Sequence, residues 1–206
     1  MGNRRSVEKA LEHVGAAVSL TSDHEALRAC DGLVLPGVGA FPKAMRNLDA
    51  LGLPELIRDL TARATPLLGI CLGMQLLFET SEEMGGAAGL GLISGEVTRL
   101  EAGTERIPHI GWNEVRFERR SPLTRELPQA GGAFYHVHSF VVRPRDSGDV
   151  IGTTEYGERF ATIVGRGSVF GVQFHPEKSS RHGLRMLHGF VELCSDDATG
   201  SSRVAA

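Results

Sequence analysis

The chain has 206 residues, 41% of them hydrophobic and 23% charged, which is enough to bury one sizeable core as a single globular domain. Lys and Arg number 22 against 25 Asp and Glu, and the resulting net charge of -3 excludes the global basic field that gathers nucleic acid or anionic lipid. No apolar run approaches bilayer length and no secretory h-region is present, so the chain reads as cytoplasmic. Cys30, Cys71 and Cys194 are too few, too scattered and odd in number for a disulfide framework or a structural zinc site.

In chain order, SVEKALEHVG predicts a helix with Ser6 as N-cap and Gly15 as its stop. AAVSL then reads as a short strand, DHEALRAC as a helix and GLVLPG as an apolar strand. PKAMRNLDALGLPELIRDLTARA carries apolar residues at helical spacing, with Pro54 breaking it or opening a second helix, and TPLLGI is the next buried strand. A helix from Gly73 to about Glu83 follows. Strands and helices in alternation, with nearly continuous apolar strands, predict an α/β fold: a doubly wound, mostly parallel sheet with helices on both faces.

From Gly89 the pattern changes to short β-type runs, GLISGEVTRL, HIGWNEVRF, AFYHVHSFVV, FATIVGRG and VFGVQFH. They fit either an antiparallel extension or the second half of a mixed sheet. HGLRMLHGFVELC is a final amphipathic helix, and SDDATGSSRVAA lacks the apolar content to pack. The expected organisation is one domain over 1–194 and a disordered tail over 195–206.

Cys71 stands where the strand LLGI meets the helix-forming LGMQLLFE. Unpaired N–H groups at a helix start favour negative charge, and Gly69 and Gly73 leave room for a strained elbow that projects the thiol at the carboxyl edge of the sheet. The alternative is a small buried hydrophobe closing a strand. Farther on, His175-Pro176-Glu177 ends another strand and puts a base and an orienting carboxylate two residues apart, as thiol acylation requires. Leu35-Pro36-Gly37-Val38-Gly39-Ala40 is a glycine loop at a third strand's end, able to turn backbone N–H groups toward an oxyanion, although a tight turn also explains it. Neither a metal nor a cofactor is expected.

The order of glycine loop, cysteine elbow and HPE turn resembles the class I, or triad, glutamine amidotransferases over most of the chain. PGVGAFPKAM, GICLGMQLLFETSEE, IPHIGWNEV, YHVHSF and GVQFHPEKS are similar, within that family, to the glutaminase subunit of imidazole glycerol phosphate synthase. The resemblance implies that Cys71 attacks the glutamine side-chain amide, His175 moves the proton to departing ammonia and Glu177 orients the imidazole. It implies Val38 and Leu72 as oxyanion donors, and Gln75, Glu83, His138, Ser139 and Phe140 around the substrate. Glu83 read alone is a solvated helix end, and His138 and Phe140 fit a strand face. Trp112, Tyr135 and Lys178 are implied at an interface with a cyclase subunit in a heterodimer, where Trp112 alternatively is a core or rim aromatic.

Members of the family usually begin with a hydrophobic strand and a Tyr-Gly-type loop before Gly-Asn, whereas this sequence starts Met1-Gly2-Asn3. The expectation is that the first strand is absent, leaving two strand edges unpaired, either through a start placed at an internal methionine or through true shortening. The function implied is hydrolysis of glutamine to supply ammonia to the cyclase for histidine biosynthesis. The alternatives are the glutaminase of another amidotransferase, or a catalytically silent binding subunit.

Overall fold

The computed structural model describes residues 4–195 and 202–206. In chain order its helices are α1 (Arg4–His13), α2 (His24–Arg28), α3 (Phe41–Ala50), α4 (Leu53–Ala62), α5 (Leu72–Leu76) and α6 (Ser180–Leu193). The strands are β1 (Ala17–Ser19), β2 (Gly32–Gly37), β3 (Leu67–Cys71), β4 (Thr80–Ser81), β5 (Ala87–Ala88), β6 (Gly95–Arg99) and β7 (His109–Phe117), followed by β8 (Gly132–His138), β9 (Phe140–Pro144), β10 (Val150–Tyr156), β11 (Glu158–Arg166), β12 (Val169–Val172) and β13 (Arg203–Ala205).

One sheet joins them, with β1, β13, β2, β3 and β12 parallel and the later strands added largely antiparallel, so the β-rich half extends the same sheet. Side chains of a strand alternate between faces. Val34, Leu68, Ile70 and Val172 accordingly pack under α1 and α6 with Val7, Leu11, Met186, Leu187 and Phe190. Leu33, Leu67 and Val169 face the other way, onto Met45, Leu48, Leu56, Ile57 and Leu60 of α3 and α4. The fold is therefore the expected α/β sheet with helices on both faces. No helix among the described residues is long and apolar enough to cross a membrane.

Three expectations need correction. Helix α1 begins at Arg4, so Ser6 lies inside its first turn instead of capping it, while Gly15 does end the segment at a φ of +99°. Helix α5 stops at Leu76, far short of Glu83. Helix propensity loses there to tertiary backbone bonds: the carbonyls of Leu76, Leu77, Phe78 and Glu79 accept from Leu90, Leu92 and Ile93, Gly91, and Gly89. Glu83 instead opens a short 3-10 turn, Glu83–Gly85.

The third concerns the tail and the strand edges. Residues 196–201 lie outside the described residues, but beyond them Arg203–Ala205 form β13, inserted in parallel between β1 and β2. The edges expected to stand open are both paired. Ala17 N–H donates to the Ser202 carbonyl at 2.9 Å, Ala206 N–H to Ser19 at 3.0 Å, and Asp31 N–H to Arg203 at 2.8 Å. Val204 and Ala205 are buried on opposite faces of the sheet. Arg203 grips the Asp31 carboxylate with Nε and Nη2, at 3.2 and 2.9 Å, and the Arg203 side chain holds that carboxyl below its ordinary range.

Burying one valine and closing a few ladder bonds is worth about 2–4 kcal/mol. Deleting residues 202–206 should lower the unfolding free energy by about that amount, read from the urea midpoint. An unchanged midpoint would show that β13 adds nothing to the sheet.

Candidate active site

Parallel pairing brings the glycine loop and the cysteine together: Gly37 at the end of β2 is in register with Cys71 at the end of β3. Cys71 adopts φ 55°, ψ −110°, a backbone state that costs a non-glycine residue about 1–3 kcal/mol and that the surrounding packing must enforce. Packing does so through glycine. A Cβ on Gly73 would lie 1.7 Å from the Leu35 carbonyl oxygen, and one on Gly69 would lie 2.6 Å from the Gly73 carbonyl oxygen. Only hydrogen at these positions lets α5 start against β2 and turn the thiol outward.

His175 and Glu177 follow β12, which pairs with the other edge of β3. The His175 ring hydrogen-bonds the Cys71 side chain, and its Nδ1 lies 2.9 Å from Glu177 Oε1. The Glu177 carboxylate is fully enclosed and His175 is 3% exposed. Pro176 starts the turn, and Ser179 fastens it: its hydroxyl donates to the His175 carbonyl at 2.7 Å and accepts from Tyr135 N–H at 3.0 Å. Burial opposes charge on His175, but hydrogen bonds and charges of Cys71 and Glu177 outweigh it and push its pKa up to about 9.

A cavity of about 520 Å³ opens over the thiol. Its lining includes Val38, Leu72, Gln75, Glu83, His138, Ser139 and Phe140, so every residue expected around the substrate is brought to one place. Cys71, His175 and Lys178 complete the thiol end. A larger cavity of about 790 Å³ lies behind the glycine loop among leucines of β2, α3 and α4, and its lining includes none of Cys71, His175 and Glu177.

Within the smaller cavity the polar groups are tied down. Gln75 is 5% exposed and donates to the Phe140 carbonyl at 3.1 Å and to Gln173 Oε1 at 3.2 Å. Gln173 in turn points its amide at Cys71 Sγ, 3.8 Å away. The Glu83 carboxylate accepts from Phe41 N–H at 2.7 Å, anchoring α3 immediately after the glycine loop, so it is not a merely solvated side chain. Sequence patterns do not mark Gln173 and Ser179; their nearness to His175 in GVQFHPEKS is the available signal.

Trp112 and Tyr135 lie outside the cavity lining, beside Lys178 at its thiol end. Trp112 and Tyr135 are cross-strand partners on β7 and β8 with ring centroids 6.2 Å apart, and the Lys178 ammonium stands 5.8 Å from the Tyr135 ring centroid. Trp112 is 54% exposed and Ile110 59%, which excludes a core role for the tryptophan and leaves a solvent-facing apolar patch on this hairpin.

Because the folded pKa of His175 lies above its ordinary 6.5, its stabilising contribution is complete below that pH and is lost as pH rises through about 9. Ring nitrogen NMR of the folded protein should show imidazolium at pH 7 with a midpoint near 9, and unfolding free energy should lose a His175-dependent part between pH 6.5 and 9. A midpoint at 6.5 would contradict the buried charged pair.

Comparison with known proteins agrees with this geometry. A family model described as glutamine amidotransferase class-I matches residues 1–193. The imidazole glycerol phosphate synthase subunit HisH of Moorella thermoacetica is 55% identical over 94% of this chain and 91% of its own. The subunit of that name from Bacillus subtilis is 44% identical over 95% and 94%. Among solved structures, a glutamine amidotransferase superposes with a TM-score of 0.73 at 20% identity, covering 94% of each chain. The glutaminase domain of Trypanosoma brucei CTPS, with bound acivicin, gives 0.69 at 19% identity over 96% and 89%, so both share the fold. The chain belongs to the class-I glutamine amidotransferases and, within them, to the HisH subunits of imidazole glycerol phosphate synthase.

Proposed function

We propose that the chain hydrolyses glutamine to glutamate and ammonia through Cys71, His175 and Glu177, and delivers the ammonia to a cyclase subunit. The observation that carries this reading is the hydrogen-bonded run from thiol to imidazole to enclosed carboxylate at the end of a polar-lined cavity. Family membership and the naming of relatives as synthase subunits support it.

In this mechanism Cys71 Sγ attacks the side-chain amide carbon after giving its proton to His175. The negative charge that develops on the amide oxygen is met by the backbone N–H groups of Val38 and Leu72, one from each of the two strand ends that register places side by side. His175 then hands its proton to the amide nitrogen, the carbon–nitrogen bond breaks, and ammonia leaves a γ-glutamyl thioester on Cys71. Water, deprotonated by His175, attacks that thioester; glutamate leaves and the thiol regains a proton. Glu177 stabilises the imidazolium formed twice in this cycle and fixes its ring. Gln75, Glu83, His138, Ser139 and Phe140 surround the substrate.

The partner is a cytoplasmic cyclase forming a heterodimer with this chain and converting ammonia and a ribulosyl nucleotide into imidazole glycerol phosphate and aminoimidazole carboxamide ribonucleotide. Its docking face is the hairpin of β7 and β8 with Lys178. There the exposed Ile110 and Trp112 supply apolar area, Tyr135 an aromatic ring, and Lys178 a charge that seeks a carboxylate. His175 N–H donates to the Tyr135 carbonyl at 2.9 Å, which puts that face one strand away from the triad.

Cys71→Ala should reduce glutamine-dependent synthesis by the complex at least about 10³-fold, while synthesis from added ammonia survives. Loss of both activities would contradict a role confined to glutaminase chemistry, and retained use of glutamine would remove Cys71 as nucleophile.

A further inference from the structure

At the wall of the substrate cavity and behind it lie three imidazoles that the hydrolysis does not use as acid or base. His109 on β7 and His136 and His138 on β8 are 2%, 0% and 6% exposed. His109 is held between rings, with its centroid 4.0 Å from that of Tyr156 and 4.8 Å from that of His136. A neutral imidazole carries one donor and one acceptor, and burying either without a partner is costly, so the partners determine the tautomer.

The assignment starts from groups whose role is fixed. His138 Nδ1 is 3.1 Å from the Phe140 carbonyl, which only accepts, so Nδ1 carries the proton and Nε2 is an acceptor. That Nε2 faces His109 Nδ1 at 3.0 Å, making His109 the donor there and leaving its own Nε2 to accept. Nε2 of His109 meets the Asn113 amide nitrogen at 3.2 Å, which only donates. Asn113 is itself oriented: its nitrogen also donates to the Glu155 carbonyl at 3.0 Å, and its oxygen accepts from Glu114 N–H at 2.8 Å. Each contact thus agrees with one tautomer set. Burial favours the neutral rings, bringing His109 down to about 4 and, with the added charge of His109, His138 down to about 3.

The far end of this run is the Phe140 carbonyl, which also accepts from Gln75, the side chain linked through Gln173 to the thiol. The near end, Asn113, adjoins the exposed Trp112 on the same strand. We propose that His109 is a positioning residue of the substrate site: through His138 it fixes the Ser139–Phe140 edge of the cavity, and through Asn113 it ties that edge to the solvent-facing hairpin. This rests on the reading of the cavity as a glutamine site. Such a relay couples the surface of β7 to the substrate edge through fixed hydrogen bonds.

The test compares His109→Phe, which keeps a ring beside Tyr156 but no hydrogen-bonding nitrogen, with His109→Gln, whose amide can still donate to His138. In the complex with a cyclase subunit, His109→Phe should raise the KM for glutamine about tenfold, the worth of a lost buried hydrogen bond, while kcat changes less than about threefold. His109→Gln should restore KM to within about threefold of the parent. Asn113→Leu, nearer the surface, should raise KM in the same direction and serves if His109→Phe does not fold. Independently of activity, ring nitrogen NMR of the parent chain at pH 7 should show His138 neutral with its proton on Nδ1. A proton on Nε2 of His138, or KM values unaltered in folded His109→Phe and Asn113→Leu, would overturn the proposal. A parent complex that releases no glutamate would overturn the glutamine reading instead, and the tautomer measurement would still decide the relay.

Discussion

The closest backbone approach that the site demands is between Gly73 and the Leu35 carbonyl, where a single added carbon would sit 1.7 Å from oxygen. Because that contact is possible, the start of α5 lies against β2, Cys71 is driven into its strained conformation, and the glycine loop at Gly37 stays beside it in register. The thiol and the proposed oxyanion donors are therefore not independent features. They are two consequences of one parallel strand pair meeting a helix start, held from the other side by β12 and its His175 turn. The enzyme's strain is local, and the sheet on both flanks supplies the packing that maintains it.

Charge is distributed across the site with the same economy of position. On one side of the cavity, His175 is kept cationic against its own burial by Cys71 and Glu177. On the other, His109 and His138 are kept neutral by burial, with each nitrogen satisfied by a fixed partner. An imidazolium supplies a mobile proton to a departing amine, whereas a neutral imidazole between two fixed partners is a rigid spacer. In the proposed mechanism the same residue type thus transfers a proton in one case and positions in the other, and the surroundings set which.

Much of the site was legible in sequence because its geometry is written over short distances. Gly69 and Gly73 flanking a cysteine mark close backbone approach, and His175, Pro176 and Glu177 are neighbours in the chain, so the elbow and the imidazole–carboxylate pair are legible directly. What escaped was long-range. Gln173 meets Cys71 across 102 positions, and a glutamine in an apolar strand gives no signal of that contact. His109 in HIGWN looks like an ordinary strand residue until its nitrogens are placed against His138 and Asn113. Strand β13 was unreadable for a related reason: three residues, Arg203–Ala205, are too few for periodicity, and the Asp31 that fixes Arg203 lies 172 positions away. Helix α5 is shorter than MQLLFE predicts: the segment has good helix propensity, yet its carbonyls bind residues 89–93.

The most direct test of a Cys71-centred glutaminase is acid quenching during turnover with glutamine, followed by mass spectrometry of the cysteine-containing peptides. A γ-glutamyl adduct on Cys71, and on neither Cys30 nor Cys194, is the predicted result. Turnover without any adduct on Cys71, or an adduct on another thiol, would contradict the mechanism at its first bond-forming step.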